Sequence, residues 1–226
     1  MNQRFGRGLY FGRMEQRRRI RIALFASGRG SNFRSIDQAL LALDEPPAEI
    51  VLCVSNNPDP GAFEYARTRG IETIRLSPRM FLQESEYASV LMETLRERRV
   101  DLLVLSGYMR KLPEAVVHEY RGRILNIHPA LLPDFGGQGM YGEHVHRAVI
   151  ASGASQTGVT IHLVDEDYDT GAIVAQQKVQ VNADDTPETL AARVLAVEHQ
   201  LYPRVVIETA EKLRRKDTGV RSQESE

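Results

Sequence analysis

Tryptophan is absent from the 226 residues, cysteine occurs once, and charge of neither sign dominates. No apolar run approaches the roughly 18–20 residues needed to cross a bilayer. The single cysteine, Cys53, excludes an intrachain disulfide and any multi-cysteine metal site. It lies in an apolar run and reads as a small buried filler, with a reducing cytoplasm as the simplest home. Lysine and arginine number 29 against 30 acids, a net charge of −1, so no global electrostatic case exists for nucleic acid or an anionic membrane. What is present is ordinary for a soluble globular chain: 42% apolar and 26% charged residues, enough to bury one large core or two small ones.

The ends differ from the middle. Residues 1–19 hold six arginines and one acid, without hydrophobic periodicity or the central apolar stretch of a secretory signal. They read as a flexible basic extension, or as an upstream start with Met14 as the working initiator. Residues 215–226 read as a helix fraying into a solvated tail. Between them, apolar β-branched runs at 20–26, 50–54, 72–76, 102–106, 124–128, 158–164 and 173–181 alternate with amphipathic stretches near 31–43, 60–69, 83–98, 113–120, 143–151 and 186–214. That alternation predicts right-handed βαβ units and a mostly parallel sheet with helices on both faces, in one continuous α/β domain over 20–214.

Polar residues gather where the predicted strands end. Ser27-Gly28-Arg29-Gly30-Ser31-Asn32 is a glycine-rich turn feeding a helix, either an anion cradle of backbone N–H groups or a tight turn made for packing. A dinucleotide fingerprint needs a third glycine where Phe33 stands and an acid where Ser55-Asn56-Asn57 stand, which argues against a nicotinamide cofactor. "LSGYMRKLP" (105–113) is either a ligand wall beyond a strand, with Met109 and Leu112 lining an apolar slot, or a helix start with Pro113 in its first turn. In "RILNIHPALLP" (123–133), Asn126 and His128 alternate onto one face of a strand that stops at Pro129. That is a local hydrogen-bonding pair or a reaction centre.

"GVTIHLVDEDYDTG" (158–171) places four acids within residues 165–169. They form a solvated loop, or one of them orients and charges His128. The spacing fails the calcium-loop pattern. His144 and His146 sit two apart on a predicted helix, do not share a face, and read as surface histidines.

Taken in order, SGRGSN, SNNPDPGAFEYARTRGI, LSGYMRKLP, LNIHPALLP, HLVDEDYDTGAIV and ETLAARVLAVEHQLYPRVV resemble the phosphoribosylglycinamide formyltransferases of purine synthesis over roughly residues 20–207, with a "GMYG" loop that resembles a variant branch. The resemblance implies a Rossmann-like formyltransferase domain whose amino-terminal half holds the ribonucleotide and whose carboxyl-terminal half holds folate and the catalytic groups. It implies a phosphate loop at Gly28, Arg29, Gly30, Ser31 and Asn32, and Glu198 against the glycinamide portion. Its catalytic groups fall on Asn126, His128 and Asp169, and its folate pocket on Met109, Arg110, Leu112, Val117, Ile124 and Asp165, with the 165–169 loop closing over the pterin. Many members carry an arginine where this chain has Glu84. Arg79 or the GMYG loop stands as the substitute.

The implied reaction is attack of the ribonucleotide amine on the formyl carbon of 10-formyltetrahydrofolate. Asn126 and a protonated His128 then donate to the oxyanion, and Asp169 holds the imidazolium. The implied partners are these two small molecules, with no metal, nucleic acid or membrane, in a monomer or homodimer. The rivals are a formyl-folate hydrolase (deformylase) and transfer to a different amine. Deformylases carry a further amino-terminal domain, and the tRNA-directed formyltransferases a further carboxyl-terminal one.

Overall fold

A computed structural model describes residues 18–221 of the chain. Met14 and most of the basic extension lie outside the described residues. Arg18, the first described, pairs with Asp101 at 2.6 Å.

Seven strands form one sheet: β1 (Ile20–Phe25), β2 (Ala48–Ser55), β3 (Glu72–Arg75), β4 (Leu102–Leu105), β5 (Ile124–His128), β6 (Gln156–Leu163) and β7 (Ile173–Gln180), in the order β3-β2-β1-β4-β5-β6-β7. The first five pair in parallel, and β6 and β7 add antiparallel. Central strands buried on both faces read as unbroken apolar runs; β4, Leu-Leu-Val-Leu, is buried throughout. The edge strand β7 buries only Val179 fully, and its Gln176, Gln177 and Lys178 keep that edge polar.

Helices cover both faces because each carries an apolar stripe at helical spacing. On one face lie α1 (Ser31–Leu41), α2 (Gly61–Thr68), α5 (Glu143–Ala151) and α6 (Pro187–Arg221), packing Phe33, Ile36, Phe63, Val145, Val149, Leu201 and Val205 against Ile22, Leu24, Val104 and Leu125. On the other lie α3 (Glu84–Glu97) and α4 (Glu114–Glu119), packing Tyr87, Leu91, Leu95, Val116 and Val117 against Phe25, Leu103 and Ile124. Each fully buried side chain of this kind contributes about 1.5–3 kcal/mol.

Cys53 is a fully buried member of the first core, and desolvation pushes its thiol up to about 12. The α6 helix continues to Arg221, past the fraying point expected at 215. No helix breaker interrupts Lys212–Lys216, and Arg215 pairs with Glu211 one turn back at 3.1 Å.

The strand order reverses between β1 and β4, which opens a crevice beyond their carboxyl ends. Tyr202 of α6 locks the floor of that crevice. Its hydroxyl lies 2.9 Å from the Leu105 carbonyl and 3.0 Å from that of Leu125, so one proton is shared between β4 and β5.

Candidate active site

Two cavities meet at this crevice. The larger, about 850 Å³, is lined by Ser27–Asn32, Asn56, Asn57, Ser106–Arg110, Asn126–Pro129, Gly137–Gly142, Tyr168, Asp169, Leu195 and Glu198. The smaller, about 70 Å³, is lined by Leu105, Leu112, Val117, His162, Val164, Asp165 and Asp167 among others. Asn126 and Asp169 line both, as do Tyr108, Arg110 and Tyr168.

The glycine-rich loop takes its shape from Gly30, whose φ of +74° caps α1 in the left-handed region. A Cβ there would also lie 2.8 Å from that of Ala62. The loop therefore delivers the amino terminus of an 11-residue helix, with no acid in its first turn, to the wall of the large cavity. Asn32 turns its amide to Glu198, which accepts at 2.6 Å. Burial pushes the Glu198 carboxyl above its ordinary value, against the pull of that amide.

On β5, Asn126 and His128 emerge on one face as the alternation requires, and β6 pairs directly opposite: Asn126 faces His162 and His128 faces Thr160. Thr160 fixes the turn after His128. Its hydroxyl donates to the Ala130 carbonyl (2.6 Å) and accepts the Leu132 N–H (3.0 Å). Gln176 of β7 donates to both the Thr160 hydroxyl and the Leu132 carbonyl, at 2.9 Å each. The turn that ends the strand is thus held by side chains 28 to 44 residues away.

Asp169 carries a φ of +58°, which aspartate tolerates better than most residues. One of its oxygens accepts the Gly137 N–H at 3.0 Å and lies 3.4 Å from His128 Nδ1; the other lies 3.4 Å from His162 Nε2. His128 Nε2 lies 2.8 Å from the Phe135 carbonyl, and since a carbonyl only accepts, that nitrogen carries a proton. Burial holds the His128 imidazole below its ordinary value, against the upward pull of Asp169 and the Phe135 carbonyl. The imidazolium expected at rest is therefore opposed by desolvation. Burial raises the Asp169 carboxyl, but the His162 and His128 rings beside it and the Gly137 N–H outweigh it and hold it below the usual range.

His162, which local spacing does not single out as a site residue, is only 2% exposed. Its Nδ1 lies 2.8 Å from the Leu163 carbonyl and so carries the proton, which leaves Nε2 to accept the Asn126 amide N–H at 3.1 Å. Alternation in "VTIHLV" sets His162 apart from Ile161 and Leu163. Antiparallel pairing of β6 with β5 is what brings it beside Asn126.

Of the expected folate residues, Arg110, Leu112, Val117 and Asp165 line the small cavity, and Met109 and Arg110 line the large one. Ile124 lines neither. It is fully buried in the α3/α4 core, and its carbonyl accepts the Val164 N–H at 3.0 Å, so it anchors the 165–169 loop from behind. Asp165 accepts the Thr170 hydroxyl at 2.7 Å and organises that loop internally. Neither Glu84 nor Arg79 lines either cavity, whereas the GMYG loop does. His146, expected at the surface, is 5% exposed on the inward face of α5, while His144 two residues earlier points outward against Tyr141. Among the described residues, no group of three or more histidine, cysteine, aspartate or glutamate side chains is placed to hold a metal ion.

A two-cavity crevice with an amide, an imidazole and a carboxylate where the cavities join suits acyl transfer between two bound molecules. A model of the formyl transferase family matches residues 20–206, and the chain belongs to that family. It is 47% identical over 197 residues to the chloroplastic phosphoribosylglycinamide formyltransferase of Arabidopsis thaliana, a match covering 86% of this chain and 67% of that one. The phosphoribosylglycinamide formyltransferase of Bacillus subtilis is 35% identical over 186 residues, 82% of this chain and 92% of its own length. The crystal structure of the Brucella melitensis phosphoribosylglycinamide formyltransferase superposes with a TM-score of 0.78 at 39% identity, covering 85% of this chain and 96% of that one.

Proposed function

We propose that this chain transfers the formyl group of 10-formyltetrahydrofolate to the amine of glycinamide ribonucleotide, in de novo purine synthesis. The observation that carries the reading is that Asn126 and Asp169 line both cavities, where a formyl carbon from one side meets an amine from the other. Domain family and relatives support the same reaction.

The ribonucleotide belongs in the amino-terminal half of the crevice. Its phosphate sits against the Gly28–Asn32 loop, and Arg29 is the arginine on that wall of the large cavity. With Glu84 and Arg79 away from the crevice, Arg29 takes over the charge pairing that the family's arginine supplies. Glu198, with Asn32, faces the glycinamide end. The folate lies in the carboxyl-terminal half, between Met109-Arg110 and Leu112-Val117. Its slot, about 70 Å³, is far below the roughly 300–1,000 Å³ of a ligand site, so the 165–169 loop moves outward as the pterin enters.

His128, kept neutral by burial at pH 7, takes the proton from the attacking amine as the new C–N bond forms. The imidazolium is then matched by Asp169. Asn126 donates its second amide N–H to the developing oxyanion, an interaction worth about 3–4 kcal/mol in such sites. When the tetrahedral adduct collapses, the C–N10 bond breaks and His128 returns the proton to N10. The N-formylated ribonucleotide and tetrahydrofolate leave, and His128 is again neutral.

We place the reaction in the cytoplasm, in keeping with a free, buried Cys53, although plant relatives are named chloroplastic. The protein acts as a monomer or homodimer. The deciding experiment follows folate release from 10-formyl-5,8-dideazafolate with and without glycinamide ribonucleotide. Release that requires the ribonucleotide supports the transferase; equal release without it makes water the acceptor and the protein a hydrolase.

A further inference from the structure

We propose that Ser27 is a positioning residue that sets the distance between the two substrate subsites. The inference rests on the two-subsite reading above. Ser27 is 93% buried by its 7% exposure, and every polar group it owns is engaged. Its hydroxyl donates to Asn56 Oδ1 at 2.5 Å and accepts the Met109 N–H at 2.8 Å. Its own N–H donates to the Gly107 carbonyl at 3.1 Å, and its carbonyl accepts the Asn57 amide at 2.6 Å. Asn56 in turn donates to Asn57 at 2.9 Å.

Three loops therefore converge on one serine: those leaving β1, β2 and β4. The residue after Ser27 opens the phosphate loop, and Met109 lies between Tyr108 and Arg110, which line both cavities. A single hydroxyl, on the lining of the large cavity, ties both loops together.

The chemistry makes that distance matter. Transfer requires the amine within about 3–3.5 Å of the formyl carbon, and a misplacement of about 1 Å can cost on the order of 100-fold in rate. Each ligand, by contrast, is gripped by groups local to its own loop. Removing the hydroxyl leaves those grips in place and leaves Asn56 Oδ1 and the Met109 N–H without their partner, so the loops shift relative to one another. The signature is a split: turnover of the ternary complex falls while each ligand alone still binds.

The test uses the full chain and measures kcat at saturation in both substrates. Calorimetric Kd values are taken separately for glycinamide ribonucleotide and for 5,8-dideazafolate. Ser27→Ala is expected to lower kcat about 10- to 100-fold with both Kd values within about threefold of wild type, and Asn56→Ala to show the same split. Ser27→Thr, which keeps the hydroxyl, recovers most of the turnover. Leu95→Ala, a distant core variant, loses thermal stability and keeps kcat, which separates positioning from general destabilisation.

A Ser27→Ala kcat within about threefold of wild type overturns the inference. So does a loss accounted for by weaker binding of one ligand, or a folded Ser27→Thr that recovers nothing. A wild type that makes no formylated ribonucleotide instead overturns the transferase reading, and this inference with it.

Discussion

His162 accepts the Asn126 amide N–H at 3.1 Å, and the Leu163 carbonyl holds the ring in the tautomer that allows it. The consequence is directional. With one N–H of the Asn126 amide committed to His162, the carboxamide cannot turn its oxygen to the ring, and the second N–H remains for the substrate. His162→Ala should lower kcat about 10-fold or more with folate affinity kept, and Asn126→Ala about 100- to 1,000-fold. Steady-state kinetics beside folate binding checks both, and a His162→Ala enzyme at wild-type kcat would remove the orienting role.

The pH profile reports on His128. A neutral base is required, so kcat/KM falls as pH drops through a pKa that lies below the ordinary histidine value. Asp169 pulls that value upward, so Asp169→Asn should move the acid limb to lower pH while cutting the rate by orders of magnitude. His128→Ala should abolish the limb. An acid limb that moves upward in Asp169→Asn would contradict the assignment.

Folding stability should also rise from pH 5 toward neutrality. Burial lowers His128, His146 and His199, so the unfolded chain binds more protons than the native one below the ordinary histidine pKa. Asp169, lowered in the fold, contributes stability that is lost as pH falls through its native value. Glu198 is raised, and its contribution runs the other way, lost as pH climbs through its native value. Urea midpoints at pH 5 and pH 7 measure the balance, with the higher midpoint expected at pH 7.

Arg29 is testable through the ligand's phosphate. Arg29→Gln should raise the KM for glycinamide ribonucleotide about 10-fold, equivalent to about 1.4 kcal/mol for one charge-assisted contact. It should leave binding of the dephosphorylated ribonucleoside unchanged. Equal losses with both ligands would place Arg29 elsewhere in the site.

Gly171 closes the acidic loop where no side chain fits. A Cβ there would run into the Leu163 carbonyl, which receives the ring proton of His162. Gly171→Ala should therefore lower Tm and raise the folate KM together. A variant with normal folate KM would show that the loop and His162 are uncoupled.

Much of this was legible in the chain itself. Unbroken apolar runs such as Leu102–Leu105, separated by amphipathic stretches, specify strands buried on both faces and helices that cover them, because period-2 and period-3.6 patterns cannot exchange. Alternation alone put Asn126 and His128 on one face, and the glycine-rich turn before Phe33 announced a helix amino terminus at the crevice.

Other features depended on distance in space. The helix between β5 and β6 reads like another parallel crossover, yet β6 runs antiparallel, and only that pairing sets His162 against Asn126. Asp169 reaches His128 because its left-handed backbone and the Gly137 N–H aim the carboxylate across the crevice, 41 residues along the chain. Ile124, which the resemblance assigns to the folate pocket, is buried in the α3/α4 core, and Glu84, which stands where many members carry an arginine, lines neither cavity. Local pattern determines which elements form and which faces they bury, since those depend on neighbours one to four residues apart. Which polar groups meet is decided by strand order and register, which no local spacing encodes.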